Sequence, residues 1–372
     1  MIKIKEITSK KDKRAFITFP FKIYKNNPYW VPPIVSQELE TFDKEINPVY
    51  QNAEARLFLA YKKGEIVGRV AAIVNWLEVN NQNVKKMRFG WMDFIDDHDV
   101  SKALFDKVIE IGRAHALQYA EGPVGFSNMD KVGVLFEGFE EKASMMTWYN
   151  SAYYIQHYEA YGFKTEKVYQ ESKFYFPNIE SDFFKKAKDL ISRRFKVRSL
   201  FFKTTKEIMP YVDEMFDLFN ASYASLSSFV EITDAQKKYF KRKFIKFVNP
   251  EYITFIVNDT NSLVGFAIVM PSYSDAIRAI NGKLLPFGFL KILKARKSSK
   301  DAIFYLIGVH PDYQNKGIHA LIFNHYHEVF TSKGIQWCYR TPELEDNTSA
   351  IQIWKNFDNI IYKRRKTYKI SL

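Results

Sequence analysis

Apolar residues along this chain follow two different periods, which predict two kinds of element. Residues 302–309 are almost all apolar and predict a buried strand. Residues 321–330 place apolar side chains three and four positions apart, which predicts a helix soon after that strand. Residues 1–7 alternate between apolar and polar side chains, as a strand does. The pattern therefore predicts a mixed α/β fold.

The same order of elements occurs twice. Residues 61–74 and 257–269 each predict a β-hairpin, in which an apolar strand leads through a turn containing Gly, Asn or Asp into a second apolar strand. The matching Gly68 and Gly265 are separated by about half of the chain. Predicted helices precede the hairpins at 16–24 and 35–42, and again at 207–226 and 234–248. A long predicted helix follows each hairpin, at 100–119 and at 317–333.

A duplication explains this repeat with the fewest assumptions. It predicts two tandem α/β domains, at residues 1–178 and 199–372, joined by a basic linker at residues 179–198. A chain of 372 residues is long enough for two domains with full hydrophobic cores. Hydrophobic residues make up 47% of the chain, which excludes a disordered protein.

Composition also narrows the compartment and the partners. The sequence contains no run of about 18 apolar residues and no signal-peptide core, so we expect no membrane span. A single cysteine, Cys338, cannot form an intramolecular disulfide and favours the cytoplasm. The net charge of +13 attracts polyanions, but no nucleic-acid-binding module is recognisable, so no nucleic acid is expected. His325 and His327 diverge on the predicted helix, and no metal site is expected.

The turn between residues 309 and 320 carries the most specific chemistry. A strand, a turn containing Gly317 and then a helix present free backbone N–H groups and the positive end of a helix dipole to a phosphate. The absence of a Cβ at Gly317 lets a pyrophosphate approach the backbone. The sequence has neither a Walker loop nor a G-x-G-x-x-G motif. An alternative interpretation is an ordinary strand–helix turn, in which glycine serves backbone geometry alone.

Gln314 and Gly317, which follow a strand ending in Val-x-Pro, form a Gln-x-x-Gly motif. This motif resembles the coenzyme A loop of the GNAT acyltransferases, although His319 stands where the family has Gly or Ala. The resemblance implies two tandem GNAT-like acyl-CoA N-acyltransferase domains, with acyl-CoA or acetyl-CoA as cosubstrate and no metal. It also implies a set of cofactor-binding residues in the second domain: Val309, Gln314, Asn315, Lys316, Gly317, Ile318 and His319.

The two halves differ at this turn. Three acidic residues, Asp96, Asp97 and Asp99, lie at the matching helix start of the first half and would repel a pyrophosphate. The first domain therefore resembles a degenerate GNAT domain. It retains Tyr158 in a Tyr-x-x-x-Gly-Phe segment like that of the family, whereas the second half has Trp354 where the thiol-protonating tyrosine commonly stands. Tyr158 is accordingly a candidate acid, with packing in the core as the alternative.

Acyl transfer from a thioester to an amine also needs a base and an oxyanion donor. Glu343 and Glu345 follow the predicted strand 335–340 and are the candidate bases, because an aliphatic amine is protonated at neutral pH. Glu345 or Asp346 could instead cap the helix predicted to start near Asn347. His310, beside the turn, is a second candidate base. The resemblance places an oxyanion-binding N–H at Val309, where the fourth strand of the family splays from its neighbour.

Residues 276–300 are an insertion that the first half lacks. They contain seven basic residues and no acidic residue, interleaved with Leu, Ile and Phe. Such a segment is typical of a peripheral contact with an anionic membrane surface, here the inner face, or of a lid over an apolar substrate. An ordinary loop and helix covering the sheet is the alternative.

Further segments narrow the resemblance to a bacterial tandem-GNAT group, whose members are mostly uncharacterised acetyltransferases, and which is similar to bacterial ceramide synthase. The segments lie at 27–33, 47–48, 68–74, 122–127, 138–139, 149–154, 281–286, 308–311 and 344–347. The resemblance implies transfer of a long acyl chain to a sphingoid-base amine, in sphingolipid biosynthesis. Two alternatives stay open, an N-acetyltransferase of a small soluble amine or a protein, and a non-catalytic acyl-CoA or lipid-binding protein.

Overall fold

The computed structural model describes residues 1–226, 229–244, 248–355 and 357–372. The strands in the first half are β1 (Ile2–Glu6), β2 (Ala53–Lys62), β3 (Glu65–Asn75), β4 (Lys86–Phe94), β5 (Tyr119–Gly122), β6 (Val134–Glu137) and β7 (Lys164–Tyr175). Those in the second half are β8 (Arg198–Leu200), β9 (Ile253–Val257), β10 (Leu263–Pro271), β11 (Asp301–Val309), β12 (Trp337–Arg340), β13 (Glu343–Leu344) and β14 (Ile360–Ser371).

Helices cover both faces of the sheet that these strands form. In the first half they are α1 (Lys10–Ile23), α2 (Val35–Thr41), α3 (His98–Ala114) and α4 (Tyr153–Tyr161). From the junction onward they are α5 (Ser181–Phe195), α6 (Thr205–Ile208), α7 (Val212–Tyr223), α8 (Asp234–Phe244), α9 (Ser274–Ala279), α10 (Gly288–Ser298), α11 (His319–Lys333) and α12 (Thr348–Trp354). Within the described ranges, no helix combines the length and the apolar character needed to cross a bilayer.

The strands form one continuous mixed sheet in the order β1-β2-β3-β4-β5-β14-β7-β12-β11-β10-β9-β8. Strands β4 and β5 pair in parallel, as do β11 and β12, and the other neighbours in this order pair antiparallel. The pairing pattern reads the same from both ends towards the centre, as expected for a tandem repeat. The predicted mixed α/β fold class is confirmed.

The two halves exchange their last strands at the centre of the sheet. Strand β14 pairs with β5 of the first half, and β7 pairs with β12 of the second half. The two exchanged strands also pair with each other over most of their length. At their interface the buried side chain of Arg365 forms an ion pair with Glu171 and donates to the backbone oxygen of Trp148. Each half therefore completes the sheet of the other.

Local backbone geometry explains where the observed elements differ from the predicted ones. The first hairpin turns at Lys63 and Gly64, which both have positive φ. Helix α3 ends at Ala114 rather than at residue 119, because the chain reverses at Ala116, with φ of 53°, before it enters β5. The predicted helix 207–226 is divided by a turn at Met209–Tyr211 that contains Pro210.

The segment predicted as a basic linker contains helix α5, which packs on α11. The rings of Phe184 and Phe323 lie 5.5 Å apart, and Ile191 packs against the core of the second half. The described residues on the two faces of each half form apolar cores, and a further cluster joins the halves through Trp30, Tyr273 and Ile292. The domain boundaries at residues 178 and 198 stay a prediction.

Candidate active site

The turn after β11 holds an unusual backbone conformation. The Nδ1 atom of His310 accepts a hydrogen bond from the backbone N–H of Asp312 at 3.2 Å and caps a short helical turn, Pro311–Tyr313. The chain then passes through two residues with positive φ, Asn315 at 58° and Gly317 at 76°. Helix α11 begins two residues later, at His319. These two left-handed residues connect the short helical turn to the start of α11.

Four backbone N–H groups at this turn donate to no acceptor in the described residues: those of Asn315, Gly317, Ile318 and His319. The N–H of the next residue, Ala320, already donates to the carbonyl of Gly317. Unpaired N–H groups at the start of a 15-residue helix can hold an anion, because the helix dipole adds to their charge. A Cβ at Gly317 would lie 3.1 Å from Ile191 of α5, so the turn leaves little room for a side chain.

Strands β11 and β12 separate beside this turn. They pair in parallel only as far as Phe304 and Arg340. Because the N–H of His310 donates to Val264 of β10, the alternation of an antiparallel ladder directs the N–H of Val309 into the gap. The carbonyl of Val309 is occupied, since it accepts from the hydroxyl of Ser222 at 3.1 Å and from the amide of Gln314 at 3.2 Å. The gap between β11 and β12 therefore contains the N–H donor of Val309 rather than its carbonyl.

A cavity of about 370 Å³ begins at this turn and runs along the gap. Most of the predicted cofactor-binding residues line it: Val309, Gln314, Asn315, Gly317, Ile318 and His319. Lys316 does not line it, and its ammonium lies over the rings of Phe195 and Tyr313 instead, at 5.5 and 5.4 Å. Burial and the nearby Lys355 lower the pKa of His319, so its imidazole is neutral at pH 7.

Glu343 is the candidate base that lines the cavity. It forms a two-pronged ion pair with Arg340, and Trp354 donates its indole N–H to Glu343 Oε1 at 3.2 Å. Burial raises the pKa of this carboxyl, and the attraction of Arg340 opposes the rise. The guanidinium of Arg340 also stacks on the Trp354 ring at 4.5 Å. Trp354 thus holds the carboxylate and closes one side of the cavity.

The remaining candidates lie outside the lining. Glu345 lies just after β13 ends at Leu344; its side chain is exposed, and its Oε1 lies 3.8 Å from Nε of Arg364. His310 caps the turn from the surface side. Tyr158 is fully buried in the core of the first half, where its ring stacks on Tyr368 at 4.6 Å. Of the four candidates, the structure therefore places only Glu343 in the lining of the cavity that begins at the turn.

The first half contributes part of the cavity wall, which the sequence interpretation did not include. The residues are Lys86, Arg88, Glu121, Tyr169 and several members of the loop 124–132, including Asp130 and Lys131. In β4 the charged Lys86 and Arg88 alternate with the buried Met87 and Phe89, and charged side chains on one face of a buried strand are a signal that could have indicated this wall. In the described part of the chain, no group of three or more His, Cys, Asp or Glu could hold a metal ion.

No family model matches the chain. It is 25% identical to "Protein YghO" of Escherichia coli strain K12, over 98% of this chain and 94% of that protein. It is 23% identical to "Bacterial ceramide synthase" of Caulobacter vibrioides strain NA1000 / CB15N, over 96% of this chain and 94% of that protein. Both similarities therefore extend over nearly the whole length.

Among solved structures, a tandem GNAT protein from the clavulanic acid biosynthesis pathway superposes with a TM-score of 0.60 at 11% identity, over all of this chain and 98% of the other. A GCN5-related N-acetyltransferase from Sphaerobacter thermophilus gives a TM-score of 0.51 at 10% identity, over all of this chain and 95% of the other. The chain has the tandem GNAT fold, and the resemblance drawn from the sequence is confirmed at that level.

Proposed function

We propose that this chain is an acyl-CoA-dependent N-acyltransferase whose reaction takes place in the second half, between the turn at residues 314–319 and Glu343. The observation that carries the proposal is the set of four N–H groups at the start of α11 that have no acceptor among the described residues, at one end of a cavity that also holds a buried carboxylate. A pyrophosphate and a protonated amine are the two charged groups that such a cavity would bind.

The turn would hold the diphosphate of the cosubstrate, and the gap between β11 and β12 would admit its thioester arm. Glu343 takes one proton from the ammonium of the acceptor. The free amine then attacks the thioester carbonyl carbon, and the N–H of Val309 donates to the oxyanion. Collapse of the adduct breaks the C–S bond, and the thiolate takes up the second proton from nitrogen. The products are an amide, coenzyme A as the thiol, and the proton held by Glu343.

The acceptor class that we favour is a lipid amine, with a long-chain sphingoid amine as the specific candidate. One relative is named a ceramide synthase, and the insertion at residues 276–300 adds a physical argument. Five large apolar side chains are exposed there, and the fractions exposed at Leu285 and Phe287 are 79% and 73%. The other three are Phe289, Leu290 and Leu293. Beside basic residues, such a patch favours peripheral contact with an anionic membrane.

Release of free thiol tests the proposal. Purified protein is incubated with acyl-CoAs from acetyl to long-chain, each with a sphingoid base, a polyamine or a peptide amine as acceptor. We expect thiol release that depends on both substrates and amide product by mass spectrometry. Preference for acetyl-CoA with a soluble acceptor would replace the lipid acceptor by a soluble one. Binding of acyl-CoA without turnover in any pairing would indicate the non-catalytic protein, for which Trp354 in place of a tyrosine is the argument.

A further inference from the structure

The far wall of the cavity belongs to the first half of the chain. Tyr305, in the middle of β11, points its hydroxyl at the backbone oxygen of Met129 at 3.5 Å. This contact sets the loop 124–132 against β11 four residues before Val309. At about 3.3 Å per residue, the loop lies roughly 13 Å along the strand from the end that meets the turn. This wall therefore lies away from the turn at residues 314–319, where the diphosphate would bind, and faces the part of the cavity left for the acceptor.

Most charged groups on this wall are paired. Lys86 lies 2.6 Å from Glu78 and 3.1 Å from Glu121, and all three side chains are buried. Arg88 pairs with Glu78 at 2.7 Å. The carboxylate of Asp130 accepts the backbone N–H of Ser127 at 3.0 Å, so it stabilises its own loop. These charges leave the wall polar, so it would face a polar part of an acceptor rather than its alkyl chain.

Lys131 is the exception. Lys131 is one of the residues that line the cavity, and its ammonium has no hydrogen bond or ion pair within the described residues. Burial lowers the pKa of Lys131, and the like charges of Arg69 and Arg365 act in the same direction, against Glu38 and Asp130. An ammonium without a partner in a cavity wall is costly, and a negative group on a ligand would satisfy it.

We propose that Lys131 recognises an oxyanion, a carboxylate or a phosphate, carried by the amine acceptor. The inference rests on the proposed acyl transfer and narrows its substrate class to amines that bear a negative group. The ammonium of such an acceptor would face Glu343, and its oxyanion would face the first half. The first half would then select the acceptor. It would not bind the diphosphate itself, because the start of its own helix α3, at Asp97–Asp99, is acidic.

Matched acceptors test this assignment. Each pair is one amine with and without a negative group: a sphingoid base and its phosphate, ethanolamine and its phosphate, and an amino acid and its decarboxylated amine. We expect the wild-type kcat/KM to be about tenfold or more higher for the anionic member, as a charge-assisted hydrogen bond gives. In Lys131→Met the ratio within each pair should fall towards one, and Lys131→Arg should restore part of it. The phosphate and carboxylate pairs identify which oxyanion is taken.

Lys243→Met is the control variant. Like Lys131, Lys243 is partly buried, and burial lowers its pKa. Unlike Lys131, it lines a neighbouring cavity, and its ammonium donates to the hydroxyl of Tyr239 at 2.9 Å. A ratio near one in the wild type, or an unchanged ratio in Lys131→Met, would overturn the assignment while leaving acyl transfer intact. If no acceptor turns over, calorimetric titration of the anionic amines decides. Affinity that is equal in wild type and Lys131→Met would then exclude the oxyanion site.

Discussion

Glu343 illustrates how two opposing effects set the chemistry of a single residue. Burial raises the pKa of its carboxyl above that of an ordinary glutamate, whereas the ion pair with Arg340 lowers it. The same burial lowers the pKa of Arg340, so desolvation acts strongly on both partners. A carboxylate of raised pKa is a stronger base than a solvated one.

Glu343→Gln should lower kcat/KM for thiol release by about 10²- to 10⁴-fold, the usual contribution of a general base. In the wild type, the acidic limb of kcat/KM against pH should lie above the ordinary glutamate pKa of about 4.3, because the folded pKa is raised. The limb should disappear in the variant. Glu345→Gln, two residues away and outside the cavity, should retain activity. A limb that persists in Glu343→Gln would assign the base to another group.

At the scale of elements, the turn before α11 depends on a glycine in the left-handed region. Alanine at Gly317 would be strained at φ of 76°, and its Cβ would meet Ile191. Both effects would move the N–H groups of residues 317 and 318. Under the proposed function, the four donors would act together on one diphosphate, so a small displacement would affect them all.

Gly317→Ala should therefore weaken coenzyme A binding by about tenfold or more in calorimetric titration. Gly64→Ala is the matched control, because Gly64 has a similar φ of 85° in the first hairpin and nothing within 4 Å of the added Cβ. Both variants bear a similar backbone cost of about 1 kcal/mol, which thermal unfolding would measure. Equal affinity in the two variants would remove the diphosphate from this turn.

Helix α10 and the residues before it are the second element considered, and their proposed membrane contact can be tested separately from diphosphate binding. Phe287→Ser with Leu290→Ser should reduce flotation with anionic vesicles at least tenfold, because each apolar side chain contributes about 1.5–3 kcal/mol when removed from water. The changes Lys291→Gln, Lys294→Gln and Lys297→Gln should reduce it further and weaken its dependence on salt.

The control for the apolar pair is Phe183→Ser with Leu190→Ser on α5. These side chains are exposed to 53% and 65%, comparable to the 52% of Leu290, but they lie outside the insertion. The two substitutions on α5 should leave flotation with anionic vesicles unchanged. A loss of flotation that is equal in the two double variants would indicate nonspecific adsorption and would exclude a dedicated membrane contact at residues 276–300.

At the scale of the whole molecule, the exchanged strands make the halves interdependent. When produced alone, residues 1–196 lack β14 beside β5, and residues 197–372 lack β7 beside β12. Each fragment would expose a long strand edge and should aggregate. When coexpressed, the two fragments should copurify as one complex with the activity of the intact chain. Residues 197–357 are the control partner, since they lack β14. A fragment 1–196 that unfolds cooperatively as a monomer would contradict this interdependence.

The sequence predicted much of this architecture because its signals are local. A few neighbouring residues specify each of three features: the apolar run of β11, the hairpin turn at Gly64 and the motif around Gly317. The repeat of the same element order after about half of the chain predicted the two tandem domains. The strand exchange was not predictable, because β7 and β14 would satisfy the same apolar pattern in either half. The contribution of Lys131 to the cavity was missed for the same reason, since it depends on contacts between distant segments.

The strand exchange also bears on synthesis. Strand β5 leaves the ribosome long before β14, its partner of 12 residues. At about 5–20 residues per second, the first half would wait roughly ten to fifty seconds with that edge uncovered. A nascent chain in this interval is a natural client for chaperones that shield strand edges. Slowing translation between the two halves should lower the yield of native protein, instead of raising it as for domains that fold one after another.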